Sequence, residues 1–169
     1  MIPKTVVVDR GAVRIEEVDR YLTAGSGRSE AGLRRRTEAL LAEAPLTLRG
    51  AWGAEGDEIL LCGTVGPLFD RWQRALAVRS AADALIAQAI GTAAVEAVMD
   101  ALEREAKSAT PGEWERRRSP GYGKLPLSES DGILARLGAT RWPGVVCSAD
   151  HLLIPAKSVT AVCRRRPEG

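Results

Sequence analysis

A single long helix constrains the fold of this chain more than any other feature of its sequence. The segment from Ser80 to about Lys107 contains no proline, and Ser80 and Asp83 have the spacing of a helix-capping box. Apolar residues surround its first half almost completely: Leu85, Ile86, Ala89, Ile90, Ala93, Val98 and Leu102. Such a helix belongs in the centre of a fold, and we expect Gly91 to allow a close approach by another element.

Shorter helices and strands surround this long helix. Apolar residues at helical spacing predict helices that begin near Ile15, Ser29, Pro67 and Ser128, with residues 24–27 as a loop. Ser29 and Ser128 are the expected N-caps of their helices, and Gly138 is the expected end of the last helix. Residues 46–52 and 58–65 form a predicted hairpin, and further strands are predicted over residues 5–8, 144–148, 152–154 and 159–164.

This order of elements predicts the fold class. Neither an internal repeat nor a linker interrupts the 169 residues, so residues 1–169 are expected to form a single domain. The hairpin and the short strands that follow one another along the chain favour antiparallel pairing. We therefore expect an α+β domain with a mostly antiparallel sheet.

The composition argues against several classes of partner. Arginine clusters lie at residues 34–36, 116–118 and 164–166, but 22 acidic residues nearly balance 24 basic ones, and aromatic residues make up only 4% of the chain. We therefore expect no nucleic-acid partner. No apolar run approaches the roughly 20 residues of a membrane span, and the first residues lack the apolar stretch of a signal peptide. The expectation is a cytoplasmic protein without membrane contact.

The chemistry-bearing residues do not form a catalytic or metal-binding pattern. Cys62, Cys147 and Cys163 lie among apolar residues and are expected to be buried, reduced thiols. His151 is the only histidine and is expected to be structural or exposed. With no Cys-x-x-Cys pair and no nucleophile elbow, we expect neither a metal site nor a catalytic residue.

The unusual segment is residues 117–126, with the sequence RRSPGYGKLP. Pro120 followed by Gly121 favours a tight turn in which the glycine takes a positive φ, and such a turn presents backbone groups to a ligand. Tyr122 adds an aromatic face, and Arg117 adds a fork that suits a carboxylate. These groups fit a nucleoside that bears an amino acid, although an ordinary surface turn is the alternative interpretation.

At this segment the sequence resembles the activation domain of cobalamin-dependent methionine synthase, whose hallmark is an Arg-x-x-Pro-Gly-Tyr stretch. Here that stretch is Arg117 to Tyr122. The resemblance continues in the Pro-Ala-Lys-Ser element at residues 155–158 and in the Thr-Val-Gly element at residues 64–66. It thus covers nearly the whole chain and is closest to the short, free-standing members of the family.

The resemblance implies a twisted antiparallel sheet flanked by helices and a shallow groove that binds S-adenosylmethionine. Arg117 would bind the ligand carboxylate. Cobalamin would come only through a partner, because the Asp-x-His-x-x-Gly motif of base-off cobalamin proteins is missing here. The other expected binding residues are Ser119, Pro120, Gly121 and Tyr122 for the adenosyl part, Gly123 beside them, and Glu113 and Glu115 as acidic candidates.

By this resemblance the chain is expected to be a reactivation subunit that is not catalytic alone. It would present S-adenosylmethionine to reduced cobalamin on a cobalamin-binding methyltransferase module, with electrons from a donor protein such as a flavodoxin or ferredoxin. The first alternative is a non-catalytic scaffold of a corrinoid methyltransferase that no longer binds S-adenosylmethionine. Gln88 stands where an aspartate is common in the family, and Asp150 replaces a common glutamate; these departures favour this alternative, whereas the intact stretch from Arg117 to Tyr122 argues against it. A second is a stand-alone methyltransferase with another acceptor, for which the sequence shows no base.

Overall fold

The computed structural model describes residues 1–23 and 30–167, so the predicted loop at 24–27 and the predicted cap Ser29 lie outside the described residues. Six strands and five α-helices follow one another within these ranges, together with a short 3-10 turn at Arg10–Ala12. The strands are β1 (Lys4–Val7), β2 (Arg49–Glu55), β3 (Glu58–Thr64), β4 (Val146–Cys147), β5 (Leu153–Ile154) and β6 (Ser158–Arg164). The helices are α1 (Ile15–Leu22), α2 (Ala31–Glu43), α3 (Pro67–Arg79), α4 (Ala81–Ala109) and α5 (Glu129–Leu137).

The main sheet has the strand order β1-β2-β3-β6, and every neighbouring pair in it is antiparallel. β2 and β3 form the predicted hairpin, in which Glu55 lies opposite Glu58 and Gly56 adopts φ +59° in the turn. β4 and β5 pair separately as a short antiparallel ribbon. The α+β class and the antiparallel sheet predicted from the sequence are confirmed.

Helix α4 packs against one face of this sheet as the predicted central helix. Val98, Met99 and Leu102 are fully buried. A Cβ atom at Gly63 of β3 would lie 2.8 Å from Val98 Cγ1, so the missing side chain brings the helix close to the sheet. Gly91 has the same role on another side of α4, because a Cβ atom there would lie 2.6 Å from Phe69 Cε1. The close approach predicted at Gly91 is confirmed.

The opposite face of the sheet is covered by α5. Side chains alternate along a strand, so Leu60, Cys62 and Val162 face away from α4. These three residues form a second buried cluster with α5 and the chain that follows it, which contributes Ile133, Leu134, Leu137, Ala139 and Val145. The central strands are therefore buried on both faces.

The predicted helix caps have different outcomes. Ser80 Oγ accepts a hydrogen bond of 3.1 Å from the Asp83 amide at the start of α4, as predicted. Ser128 precedes α5 but makes no side-chain cap bond, so this prediction is wrong. Its backbone is already helical, at φ −60° and ψ −18°, whereas a capping side chain requires an extended backbone. Gly138 ends α5 in the left-handed conformation, as expected.

Helix α4 is also long and apolar enough, by length and composition alone, to cross a membrane. However, 61% of its most apolar window is buried inside the fold, where α1, α2, α3 and the sheet contact it. This is the pattern of the core helix of a soluble domain.

Candidate functional site

Residues 113–126, here called the edge segment, run beside the outer strand β6. The Glu115 amide donates to the Arg164 carbonyl at 2.8 Å, and Arg118 and Val162 exchange two backbone hydrogen bonds of 2.9 Å. Trp114 is buried under the Arg165 guanidinium, which lies 4.5 Å from its ring centroid. These contacts fix the register of the edge segment on β6 and so determine where its side chains point.

The edge segment then turns sharply, as the Pro-Gly pair predicts. The Gly121 amide donates to the Leu125 carbonyl at 2.9 Å, and the Tyr122 amide donates to the Ser119 carbonyl at 3.3 Å. Gly121 and Gly123 have φ angles of +89° and +61°, which confirms the predicted positive φ. Tyr122 is 78% exposed at the tip, and its ring is available to a ligand or a partner.

Arg117 points from the edge segment toward helix α4 and is surrounded by carboxylates. Its guanidinium lies 2.7 Å from Glu96, 2.7 Å from Asp100 and 2.6 Å from Glu103, and its side chain is only 18% exposed. Burial by itself would lower the pKa of this guanidinium, but the hydrogen bonds to Glu103 and Asp100 raise it. Arg117 is thus permanently charged and already paired within the chain.

Among the three carboxylates of α4, Glu103 accepts the most hydrogen bonds from the edge segment. Its carboxylate accepts from the Arg117 side chain at 2.6 Å, from the Arg117 amide at 3.3 Å and from Lys107 at 2.6 Å. Burial would raise the pKa of the Glu103 carboxyl, but hydrogen bonds and charges from Lys107 and Arg117 hold it below its usual value.

Two cavities flank the Tyr122 turn, and Glu96, Ser119 and Tyr122 line both of them. The first, here called the basic cavity, has a volume of about 570 Å³. The second, here called the apolar cavity, has a volume of about 710 Å³. Charged groups dominate the wall of the basic cavity: Arg116, Arg117, Arg118, Lys124, Arg164 and Glu115. The apolar cavity is walled mainly by Pro120, Leu127, Leu152, Leu153, Ile154 and Val159, with several serine and threonine residues.

The structure brings together most of the residues that the sequence singles out. Ser119 and Tyr122 lie between the two cavities, and Pro120 lines the apolar one. Arg117, Gly123 and Glu115 line the basic cavity, where Glu115 pairs with Arg118 at 3.0 Å. Two candidates lie apart: Gly121 lines neither cavity, and Glu113 faces Arg166 at 3.6 Å, away from both.

Sequence reasoning missed the contribution of helix α4. Glu96, Asp100 and Glu103 are spaced by four and three residues, which places their carboxylates on one helix face. That spacing was a usable signal, but it could not reveal that Arg117 is the group this face contacts. It also gave no sign that Glu96 reaches both cavities.

His151 lies on the wall of the apolar cavity. It has φ +61°, an unusual backbone for a residue other than glycine, and its Nδ1 contacts the Asp131 carboxylate at the start of α5. The side chain is 43% exposed. The expected structural or exposed histidine is therefore a partly exposed loop residue at the cavity rim, in contact with the Asp131 carboxylate.

The cysteines differ in burial. Cys62 and Cys163 are fully buried, and burial raises the pKa of their thiols to about 12 and about 11. Cys147 is only partly buried, so the expectation of three buried thiols is met by two. Within residues 1–23 and 30–167, no group of three or more His, Cys, Asp or Glu residues is placed to hold a metal ion.

Comparison with known proteins identifies the fold. Neither a known sequence family nor a curated protein matches this chain. Among solved structures, the chain is similar to the MetH reactivation domain bound to AdoHcy, with a TM-score of 0.74 and 14% sequence identity. The match covers 100% of this chain and 80% of that one. The chain therefore has the fold of a methionine synthase reactivation domain, as the resemblance at residues 117–126 implied.

Proposed function

We propose that this chain binds S-adenosylmethionine and its product S-adenosylhomocysteine at the Tyr122 turn. The observation that carries the proposal is the position of that turn, between a basic and an apolar cavity, in a fold whose solved relative was bound to AdoHcy. The amino-acid part of this ligand is charged and suits the basic cavity, and the nucleoside part offers a large ring that suits the apolar cavity. Cavities of several hundred Å³ are also of the size that small ligands occupy.

The apolar cavity suits the adenosine part of such a ligand. Leu127, Leu152 and Ile154 are exposed at 40%, 59% and 52%, and they offer an apolar surface to the base. Tyr122 can stack on the base from the side of the turn. Glu96 lines both the apolar and the basic cavity, and its side chain is 42% exposed. An exposed carboxylate at this position suits the ligand's ammonium or sulfonium cation.

The cellular role that follows is reactivation of a corrinoid methyltransferase. S-adenosylmethionine would supply the methyl group and the reduced cobalamin of a partner would receive it, with electrons from a donor protein such as a flavodoxin or ferredoxin. This chain would hold and orient the methyl donor. The exposed apolar rim around Tyr122, Leu152 and Ile154 supports docking of a partner over the ligand.

The proposal is tested by calorimetric titration of the purified protein with S-adenosylhomocysteine. We expect saturable one-to-one binding, and we expect Tyr122→Ala to weaken it by about 1–2 kcal/mol because a stacked aromatic face is lost. Val78→Ala is the matched control, since Val78 is 89% exposed on α3 and lines neither cavity. The absence of binding by the wild-type protein at millimolar ligand would refute the proposal.

A non-catalytic scaffold remains the second candidate because of one observation. The guanidinium of Arg117, expected to bind the ligand carboxylate, is engaged by three carboxylates of α4. A scaffold would retain this contact for structure alone. It would dock on a corrinoid methyltransferase without binding S-adenosylhomocysteine, so the same titration separates the two functions.

A further inference from the structure

The surroundings of Arg117 are unfavourable for a second anion. Its two terminal nitrogens already contact Glu96, Asp100 and Glu103. Even with Lys107 paired to Glu103, carboxylates outnumber cations in this cluster. A ligand carboxylate that approached Arg117 would meet like charges at close range and would have to displace an existing ion pair. Another group must therefore bind the carboxylate.

The basic cavity that Arg117 lines also contains cations without partners. Arg116 and Lys124 both line the basic cavity, and across the described part of the chain neither makes a hydrogen bond or an ion pair. Arg164 adds a third cation, and its only ion pair with residues 1–23 and 30–167 is a long contact of 4.0 Å with Glu58. Arg118, by contrast, is paired with Glu115 at 3.0 Å. Unpaired cations around one cavity repel each other, and a bound anion relieves that repulsion.

Backbone amides at the basic cavity are further candidates for binding an anion. Gly123 and Lys124 are consecutive residues of the turn, and Gly123 has φ +61°. Among the described residues, neither amide donates a hydrogen bond. Successive amides in a turn that contains a left-handed residue form a concave site for an anionic oxygen. The free cations and the two free amides thus belong to residues that line the same cavity.

We propose that Arg116 and Lys124, with the turn amides beside them, bind the carboxylate of the amino-acid ligand. Arg117 is then a positioning residue. Through Glu96, Asp100 and Glu103 it ties the edge segment to α4 and holds its neighbour Arg116 at the cavity. This inference rests on the proposed function and specifies how the same site selects its ligand.

The test compares two ligands that differ only in the carboxylate. S-adenosylhomocysteine and its decarboxylated form, which keeps the ammonium, are titrated into wild-type protein and variants. For the double variant Arg116→Gln/Lys124→Gln we expect affinity for S-adenosylhomocysteine to fall roughly 10- to 100-fold, the effect of losing charge-assisted hydrogen bonds. Affinity for the decarboxylated ligand changes less than about 2-fold. The double variant Arg35→Gln/Arg74→Gln removes the same number of charges and controls for net charge, because Arg35 on α2 and Arg74 on α3 are exposed and line neither cavity.

Arg117→Gln separates positioning from direct binding. A positioning role weakens both ligands by the same factor, because the whole turn shifts. A direct carboxylate contact weakens only S-adenosylhomocysteine, and that selective loss, with the double variant unchanged, overturns the inference while the proposed function stands. If wild-type protein binds neither ligand, the proposed function itself fails. If Arg117→Gln does not fold, the double variant alone decides the outcome.

Discussion

Two elements that border the cavities, helix α4 and the edge segment, are here called the walls of the site, and they are held in place by different forces. Helix α4 is fixed by burial, since Ile90, Val98 and Leu102 on its inner face are fully inaccessible. The edge segment is fixed by backbone hydrogen bonds to β6 and by the ion pairs of Arg117. One wall depends on apolar packing, and the other depends on polar contacts.

This difference explains how the site can hold charged side chains in fixed positions. Because the inner face of α4 is packed on the sheet, the carboxylates of Glu96, Asp100 and Glu103 project from a rigid base. They hold Arg117, and through it an irregular segment that has few buried side chains of its own. We therefore expect core changes to affect stability, and changes at the ion pairs to affect the position of the edge segment and the ligand.

The largest expected effect is from the core of the helical wall. Leu102→Ala should lower the free energy of unfolding by about 2–5 kcal/mol, because it leaves a cavity between α4 and the sheet. Urea denaturation measures this loss. The folded variant should bind S-adenosylhomocysteine within about 2-fold of wild type. A large loss of affinity without a loss of stability would contradict the division of roles between the walls.

An intermediate effect is expected at the contact between the walls. Glu103→Gln should lower the free energy of unfolding by about 1–3 kcal/mol at pH 7, because charge-assisted hydrogen bonds to Arg117 and Lys107 are lost. The pKa of Glu103 is lowered in the folded state, so its contribution is complete above the usual value of 4.5 and is lost as the pH falls through the folded value.

Urea denaturation of both proteins between pH 7 and pH 3 checks this dependence. The stability difference between wild type and Glu103→Gln should shrink below about pH 4.5. A difference that stays constant down to pH 3 would mean that the Glu103 charge does not hold the two walls together.

The smallest expected effect is a change in thiol reactivity. Cys163 lies on β6, and Glu103, Lys107 and Arg117 influence its pKa, whereas Cys62 belongs to the cluster under α5. In wild type, iodoacetamide at pH 8 should modify Cys147 first, since the other two thiols are fully buried. In Arg117→Gln, alkylation of Cys163 should be roughly 10-fold faster, because the edge segment opens locally.

Mass spectrometry of peptides measures the three rates, and Cys62 is the internal control. Equal acceleration of Cys62 and Cys163 would indicate global destabilisation. It would then count against a local role of Arg117 in closing the edge segment over α4.

Patterns of spacing predicted the regular parts of the fold because local chemistry decides them. The apolar periodicity after Ser80 predicted α4, and the alternation from Val159 to Arg164 predicted β6. Gly91, inside the helix, predicted a close approach that Phe69 provides. In each case a local pattern or a single residue restricts the local structure, so the sequence was sufficient.

The same logic predicted the turn of the site but not the partners of its charges. Pro120 has a fixed φ and Gly121 permits a positive φ, so the positive φ of Gly121 could be predicted from these two residues. The fork of Arg117 also suggested a carboxylate partner, and carboxylates do surround it. They are the chain's own, from a helix that begins more than thirty residues earlier in the sequence.

By itself, then, the sequence determined the central helix, the β2–β3 hairpin and the turn at Tyr122, because these follow from interactions between near neighbours. Only the tertiary structure decided which arginines are paired and which are free. That choice depends on the register of the edge segment on β6, which points Arg117 toward α4 and leaves Arg116 at the cavity. Ion pairing is a property of distances between elements, and the spacing of residues along one chain does not contain those distances.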